Sequence, residues 1–167
     1  MKQICSSRLL VVTMIAMLAV FAATANAGPA KGTITFKSKS GSVVVDVKHA
    51  FLVKGPDVVS GKTIRRVVLS VADIAPAIDK CASMMCSDGG IGEGMTVDFD
   101  AGPRVNYWFV ANDQRVQYSG TADPASVKLS SNTPNRVAGT WDLDATAAGG
   151  PMIHVQFDAA LTKELKK

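Results

Sequence analysis

The stretch RVNYWFVANDQRVQYS, residues 104–119, decides how the chain is read. Val105, Tyr107 and Phe109 alternate with Asn106 and Trp108, the period-two pattern of a half-buried strand. Asn112-Asp113 follows, two residues that tolerate positive φ and suit a tight turn. Val116 and Tyr118 resume the run beyond it. A β-hairpin over 104–119 is predicted, and much of the chain repeats this pattern.

Upstream, Ile34 and Phe36 alternate with Thr33, Thr35 and Lys37, and after Ser40-Gly41 the residues Val43, Val45 and Val47 share one face. That segment runs on through Phe51 and Val53 to the break Gly55-Pro56-Asp57. Residues 63–71 form a further strand, with Ile64 and Val67-Val68-Leu69 as its apolar content, and Met95, Val97 and Phe99 mark another. Downstream, Val127 and Leu129 precede a turn at 132–135. Val137, Gly139, Trp141 and Leu143 then pair with Ile153, Val155 and Phe157 across the 145–151 loop, which places Trp141 in the core. About nine short strands and one helix predict a mainly β domain, an antiparallel β-sandwich or flattened barrel. The lack of β-helix-β alternation argues against a doubly wound nucleotide fold.

The helix signal lies near 73–83. Asp73 suits an N-terminus, Pro76 falls in the first turn, and Ile74, Ile78, Cys81 and Met85 follow helical spacing. Five residues of helix rise about 7.5 Å, beyond disulfide reach, so a bridge between Cys81 and Cys86 requires the helix to end near Ser83. A disulfide is the expected state of this pair in an exported chain. The alternative, half of a metal site, lacks partners, because His49 and His154 stand on separate strand-like segments. The C-x-x-x-x-C spacing is also not that of a C-x-x-C redox motif.

Export is read from the first 27 residues. Lys2 and Arg8 give a basic start, residues 9–23 an apolar run of 15, and Ala25-Asn26-Ala27 a small-x-small site before Gly28. The run is short for a membrane span, and Cys5 lies far from the cleavage point, where it could not carry a lipid. Residues 1–27 are therefore expected to be a cleavable signal peptide, leaving 28–167 as one domain in the bacterial periplasm or outside the cell. Removal leaves 16 basic and 14 acidic residues, a net charge of +2, scattered without a basic stripe. Nucleic acid is not an expected partner, and no membrane span is expected after processing.

Candidate chemistry is sparse. The loop Gly89-Gly90-Ile91-Gly92-Glu93-Gly94 has the composition of a phosphate cradle but leads into a strand, not a helix N-terminus, and reads as a connection. Asp98 and Asp100, and Asp142 and Asp144, are weak calcium candidates. Each pair shares a polar strand face, and Asp88 and Glu93 could add oxygens if the strands were neighbours. Asp158 shares a face with His154 and Gln156. Trp108 and Asn106 lie opposite Tyr107 and Phe109, and are the candidate contacts for a sugar or a partner side chain. No nucleophile elbow or carboxylate pair marks a catalytic centre, and no cofactor is implied.

Arg136-Val137-Ala138-Gly139-Thr140, Ala147-Ala148-Gly149-Gly150 and Val155-Gln156-Phe157-Asp158-Ala159-Ala160-Leu161 resemble the closing hairpin of small exported bacterial β-sandwich proteins of unknown function. The resemblance covers residues 94–161 and implies a sandwich in the cell envelope, with no assigned activity. The functional expectation is a non-catalytic binding or accessory module, with an unidentified protein or small molecule as partner. Two alternatives are carried. One is an exported hydrolase whose site assembles in space, signalled by His49 or His154 beside a carboxylate and a hydroxyl. The other is a calcium-stabilised structural module.

Overall fold

The computed structural model describes residues 27–39, 41–88 and 90–166. The expected signal peptide and Cys5 lie outside them, apart from Ala27. Nine strands follow in chain order: β1 Gly28–Ser38, β2 Gly41–Pro56, β3 Thr63–Ser70, β4 Gly94–Phe99, β5 Val105–Ala111, β6 Val116–Ala122, β7 Val127–Thr133, β8 Arg136–Asp144 and β9 Met152–Glu164. The predicted hairpin is β5 and β6. Its turn is longer than the tight Asn112-Asp113 pair the sequence suggested: residues 112–115 link the strands, and Asn112, Asp113 and Gln114 all take positive φ, between 51° and 67°. The closing hairpin pairs Val137 with Ala159, Trp141 with Val155 and Leu143 with Ile153.

The chain is mainly β and antiparallel, but the hydrogen bonding does not draw the expected two-sheet sandwich. All nine strands join one sheet, in the order β6-β5-β4-β3-β2-β1-β9-β8-β7. The sheet is strongly curled. Tyr107 on β5 and Trp141 on β8 stand six strands apart, about 29 Å in a flat sheet, yet their rings meet edge to face at 5.4 Å. Phe36 on β1 likewise reaches Tyr118 on β6, at 5.6 Å. Curling wraps the concave face around one core that holds Ile34, Val45, Leu52, Leu69, Phe109 and Trp141. One sheet rolled on itself buries its alternating residues as two facing sheets would, so alternation cannot tell the two apart.

Arg65 ties one mouth of the roll. Its guanidinium donates two bonds to Asp100, at 2.6 and 2.9 Å, and its Nη1 reaches Asn132 and the Thr133 carbonyl on β7. β2 changes face along its length. Val45 and Val47 face inward, but so do Ala50 and Leu52, so the inward phase shifts by one residue around Lys48-His49. Phe51 and Val53 are thereby turned to the convex face. Beyond Gly28, at the start of β1, β2 meets β9 directly in a short parallel pairing at Leu52 and Leu161.

The convex face carries a second core. The segment between β3 and β4 folds over β2, β3 and β5, packing Ile74, Ile78, Met84 and Ile91 on Phe51, Val53, Ile64, Val68 and Val110. Its helix, α1, is only Ala75–Asp79, shorter than the predicted 73–83, and a 3-10 turn occupies Met84–Asp88. Asp73 is not its N-cap, a place taken by Ile74 without a side-chain bond; Asp73 stands one residue earlier and accepts from the Ala75 amide at 3.0 Å. Cys81 and Cys86 are joined, with Cα atoms 5.3 Å apart, and this reversal ends the helical phase early. Met84 therefore takes the inward place predicted for Met85, which is 67% exposed. Close approach is possible because Gly55 lies beneath: a Cβ there would stand 2.9 Å from the Leu165 Cβ and 3.0 Å from the Met84 sulfur.

Candidate functional site

Beyond the edge of this cover the convex face is bare over β4, β5 and β6, and the pairing sets its layout. Thr96, Trp108 and Ser119 stand in one cross-strand row, and Asp98, Asn106 and Thr121 in the next. Together they form the wall of an open cleft of about 460 Å³, backed by Arg66. Trp108 is half-buried because one flank packs against the outer core. Asn106, Ser119 and Thr121 are exposed. Trp108 and Asn106, the two contact candidates, thus lie side by side in one depression. Ser119 and Thr121 complete it, and sequence reading missed them, because β6 alternates so regularly that its outward residues look like ordinary solvated positions.

The floor of the cleft is electrically spent. Arg66 donates from Nε and Nη2 to the two oxygens of Asp98, at 2.6 and 2.7 Å, and from Nη1 to the Met84 carbonyl at 2.9 Å. Both side chains are largely buried, 12% and 17% exposed. A charge this poorly solvated needs its partner, so the bidentate pair is a structural tie between sheet and cover. Arg104 stands at the rim, with its Nε on Thr121 Oγ1 at 3.0 Å.

The four calcium candidates are not brought together. Asp98 is held by Arg66 and Asp100 by Arg65. These arginines are neighbours on β3 and point to opposite faces, so the two aspartates do not share one as expected. The cause is backbone: Asp100 lies beyond β4 with φ 68°. Asp142 contacts His154, and Asp144 accepts from the Thr146 amide and hydroxyl at 2.9 and 2.6 Å, which lowers its pKa. Strands β4 and β8 are separated by β3, β2, β1 and β9 in the sheet. Among the described residues no group of three or more potential ligands is gathered.

Two further features were singled out. His154 Nδ1 lies against Asp142 Oδ1 on the outer face of β8 and β9, in a shallow depression that includes Thr140 and Gln156. The pair is open to solvent, with His154 76% exposed. His49 instead stacks on Phe51, centroids 6.3 Å apart. In the glycine-rich loop, residue 89 lies outside the described set and the remainder is structural. Ile91 is buried and its carbonyl accepts from Gln114, while Glu93 accepts from the Asn112 amide.

Among the described residues no helix is long and apolar enough to cross a membrane. Comparison with family models, curated proteins and solved structures finds no match to this chain.

Proposed function

We propose that this chain is an exported, non-catalytic binding or accessory module of the cell envelope, and that the cleft beside Trp108 is its contact surface. The observation carrying the reading is the cleft's composition. A half-exposed indole stands among exposed amide and hydroxyl groups, all on paired strands that hold them without an ordering cost on binding. Among the described residues, no hydrogen bond engages the side chains of Asn106 and Ser119. A fragment screen followed by NMR should concentrate its amide shifts on residues 96, 98, 106, 108, 119 and 121. Shifts scattered evenly over the surface would overturn the assignment.

Export is supported by the basic, apolar and A-x-A order of residues 1–27 and by the Cys81–Cys86 bridge, which persists in an oxidising compartment. Among the described residues the sheet begins at Gly28, so cleavage after Ala27 leaves β1 whole. N-terminal sequencing of the protein from its native envelope should start at Gly28. A retained leader would contradict this.

A second reading, an exported hydrolase, is supported by the contact of His154 with Asp142 beside Thr140. Turnover of a simple ester that vanishes in His154→Ala would establish it. Equal rates in both proteins would remove it.

A further inference from the structure

We infer that the cleft takes a neutral saccharide, with one pyranose ring laid against Trp108. This deepens the binding reading above and rests on it. The first ground is shape. Trp108 and Ser119 are directly opposed, as are Asn106 and Thr121, which puts each pair's Cβ atoms about 5 Å apart. The two rows are about 7 Å apart along the strands. The platform therefore matches one to two hexose rings, with the apolar C–H face of a ring on the indole and its rim of hydroxyls over the polar row.

The second ground is the balance of donors and acceptors. A sugar hydroxyl both gives and accepts a hydrogen bond, so it is best met by groups that do the same. The Asn106 amide offers two donors and an acceptor, and the Ser119 hydroxyl offers both roles. Thr121 Oγ1 accepts from Arg104 and keeps its own proton for donation.

The third ground is charge. Arg66 and Asp98 cancel one another at close range, so the back of the cleft offers no open cation for a phosphate or carboxylate and no open carboxylate for a cationic ligand. Arg104, bonded to Thr121, brings a charge to the rim, and its Nη2 is turned to the Thr121 carbonyl at 3.4 Å. A ligand that fills the cleft therefore gains most from neutral polar groups and an apolar face.

The test titrates the mature protein with chitotetraose and cellotetraose, and with a tetragalacturonate as the anionic counterpart, read by backbone amide shifts. A neutral sugar should move residues 96, 106, 108, 119 and 121. Trp108→Ala should weaken binding by about tenfold or more, while Trp108→Phe keeps part of it. Trp108 also touches the outer core, so a second variant is needed. Ser119→Phe fills the cleft from the exposed strand and should abolish binding while the melting temperature stays unchanged. Trp141, fully buried, provides an internal fluorescence reference in each variant. Binding of the uronate alone, or neutral-sugar binding that survives both Trp108→Ala and Ser119→Phe, overturns the inference. If neither neutral sugar binds but fragments still collect in the cleft, the saccharide is wrong and the binding site stands. If fragments avoid it too, both readings fall.

Discussion

The two faces of the curled sheet are apolar for different reasons. On the concave face, residues of all nine strands meet one another across the roll, and the core is sheet against itself. On the convex face, a disulfide-clamped segment from between β3 and β4 lies over β2, β3 and β5, leaving β4, β5 and β6 bare beyond its edge. The two tryptophans show the contrast. Trp141 is fully buried inside, its Nε1 donating to Ser126 Oγ at 3.1 Å, whereas Trp108 stands at the boundary between cover and cleft. The inner face thus makes the scaffold, and the proposed contact surface lies on the outer face.

That division can be broken or sharpened by experiment. The largest effect should come from the inner core. Trp141→Ala removes a buried indole with little room for collapse, and should cost about 3–5 kcal/mol by urea unfolding. A loss comparable to that of an exposed residue would mean the roll is not the main source of stability.

Next is alkaline pH. Burial, with Tyr118 alongside at 6.0 Å, pushes the Tyr107 hydroxyl up to about 12. The folded pKa lies above the unfolded one, so this contribution is complete below about pH 10 and is lost as pH rises toward 12. The two-unit gap bounds the contribution at about 3 kcal/mol, which solvent screening reduces. Ring-carbon NMR should place the Tyr107 midpoint near 12. A midpoint at the ordinary tyrosine value would show that the inside of the roll admits water.

The outer face should respond separately. Loop entropy assigns the Cys81–Cys86 bridge about 2 kcal/mol, a modest figure because the closed loop is short. Replacing both cysteines by serine should raise hydrogen exchange over residues 71–93 and leave β8 and β9 protected. A uniform rise over the whole sheet would merge the two faces into one cooperative unit.

The smallest effect is at the surface. The Arg136 guanidinium, bonded to Asp158 at 2.6 and 2.8 Å, holds the Asp158 carboxyl below its usual range. A depressed carboxylate stabilises the fold above the unfolded value near pH 4, and the contribution fades as pH falls through the folded pKa. Arg136→Ala should therefore differ slightly from the parent at neutral pH and converge with it in acid, in paired melts across pH.

Much of the scaffold was legible. The hairpins of β5 with β6 and of β8 with β9, the burial of Trp141 and the outward placement of Trp108 all follow from alternation, which records locally that one side of a strand is buried. The Cys81–Cys86 pairing was legible from spacing. Less so was the helix. A residue pattern continuing to Met85 could not show that the bridge reverses the chain first and hands the inward position to Met84. The phase shift around Lys48-His49 was missed because valines and a phenylalanine on odd positions look continuous in sequence. Of the residues that line the cleft, Trp108 and Asn106 were singled out by their outward phase, while Ser119 and Thr121 needed the partner strand.

Sequence alone, then, determined where the strands run and, apart from β2 beyond Lys48-His49, which residues of a strand share a face, because a two-residue period is a local property of an extended chain. Only the tertiary structure decided that the strands form one curled sheet in place of two flat ones, that Asp98 and Asp100 answer to different arginines, and that Trp108 borders an open cleft. Those outcomes depend on which distant segments meet, and a pattern that says only "covered" carries no record of what does the covering.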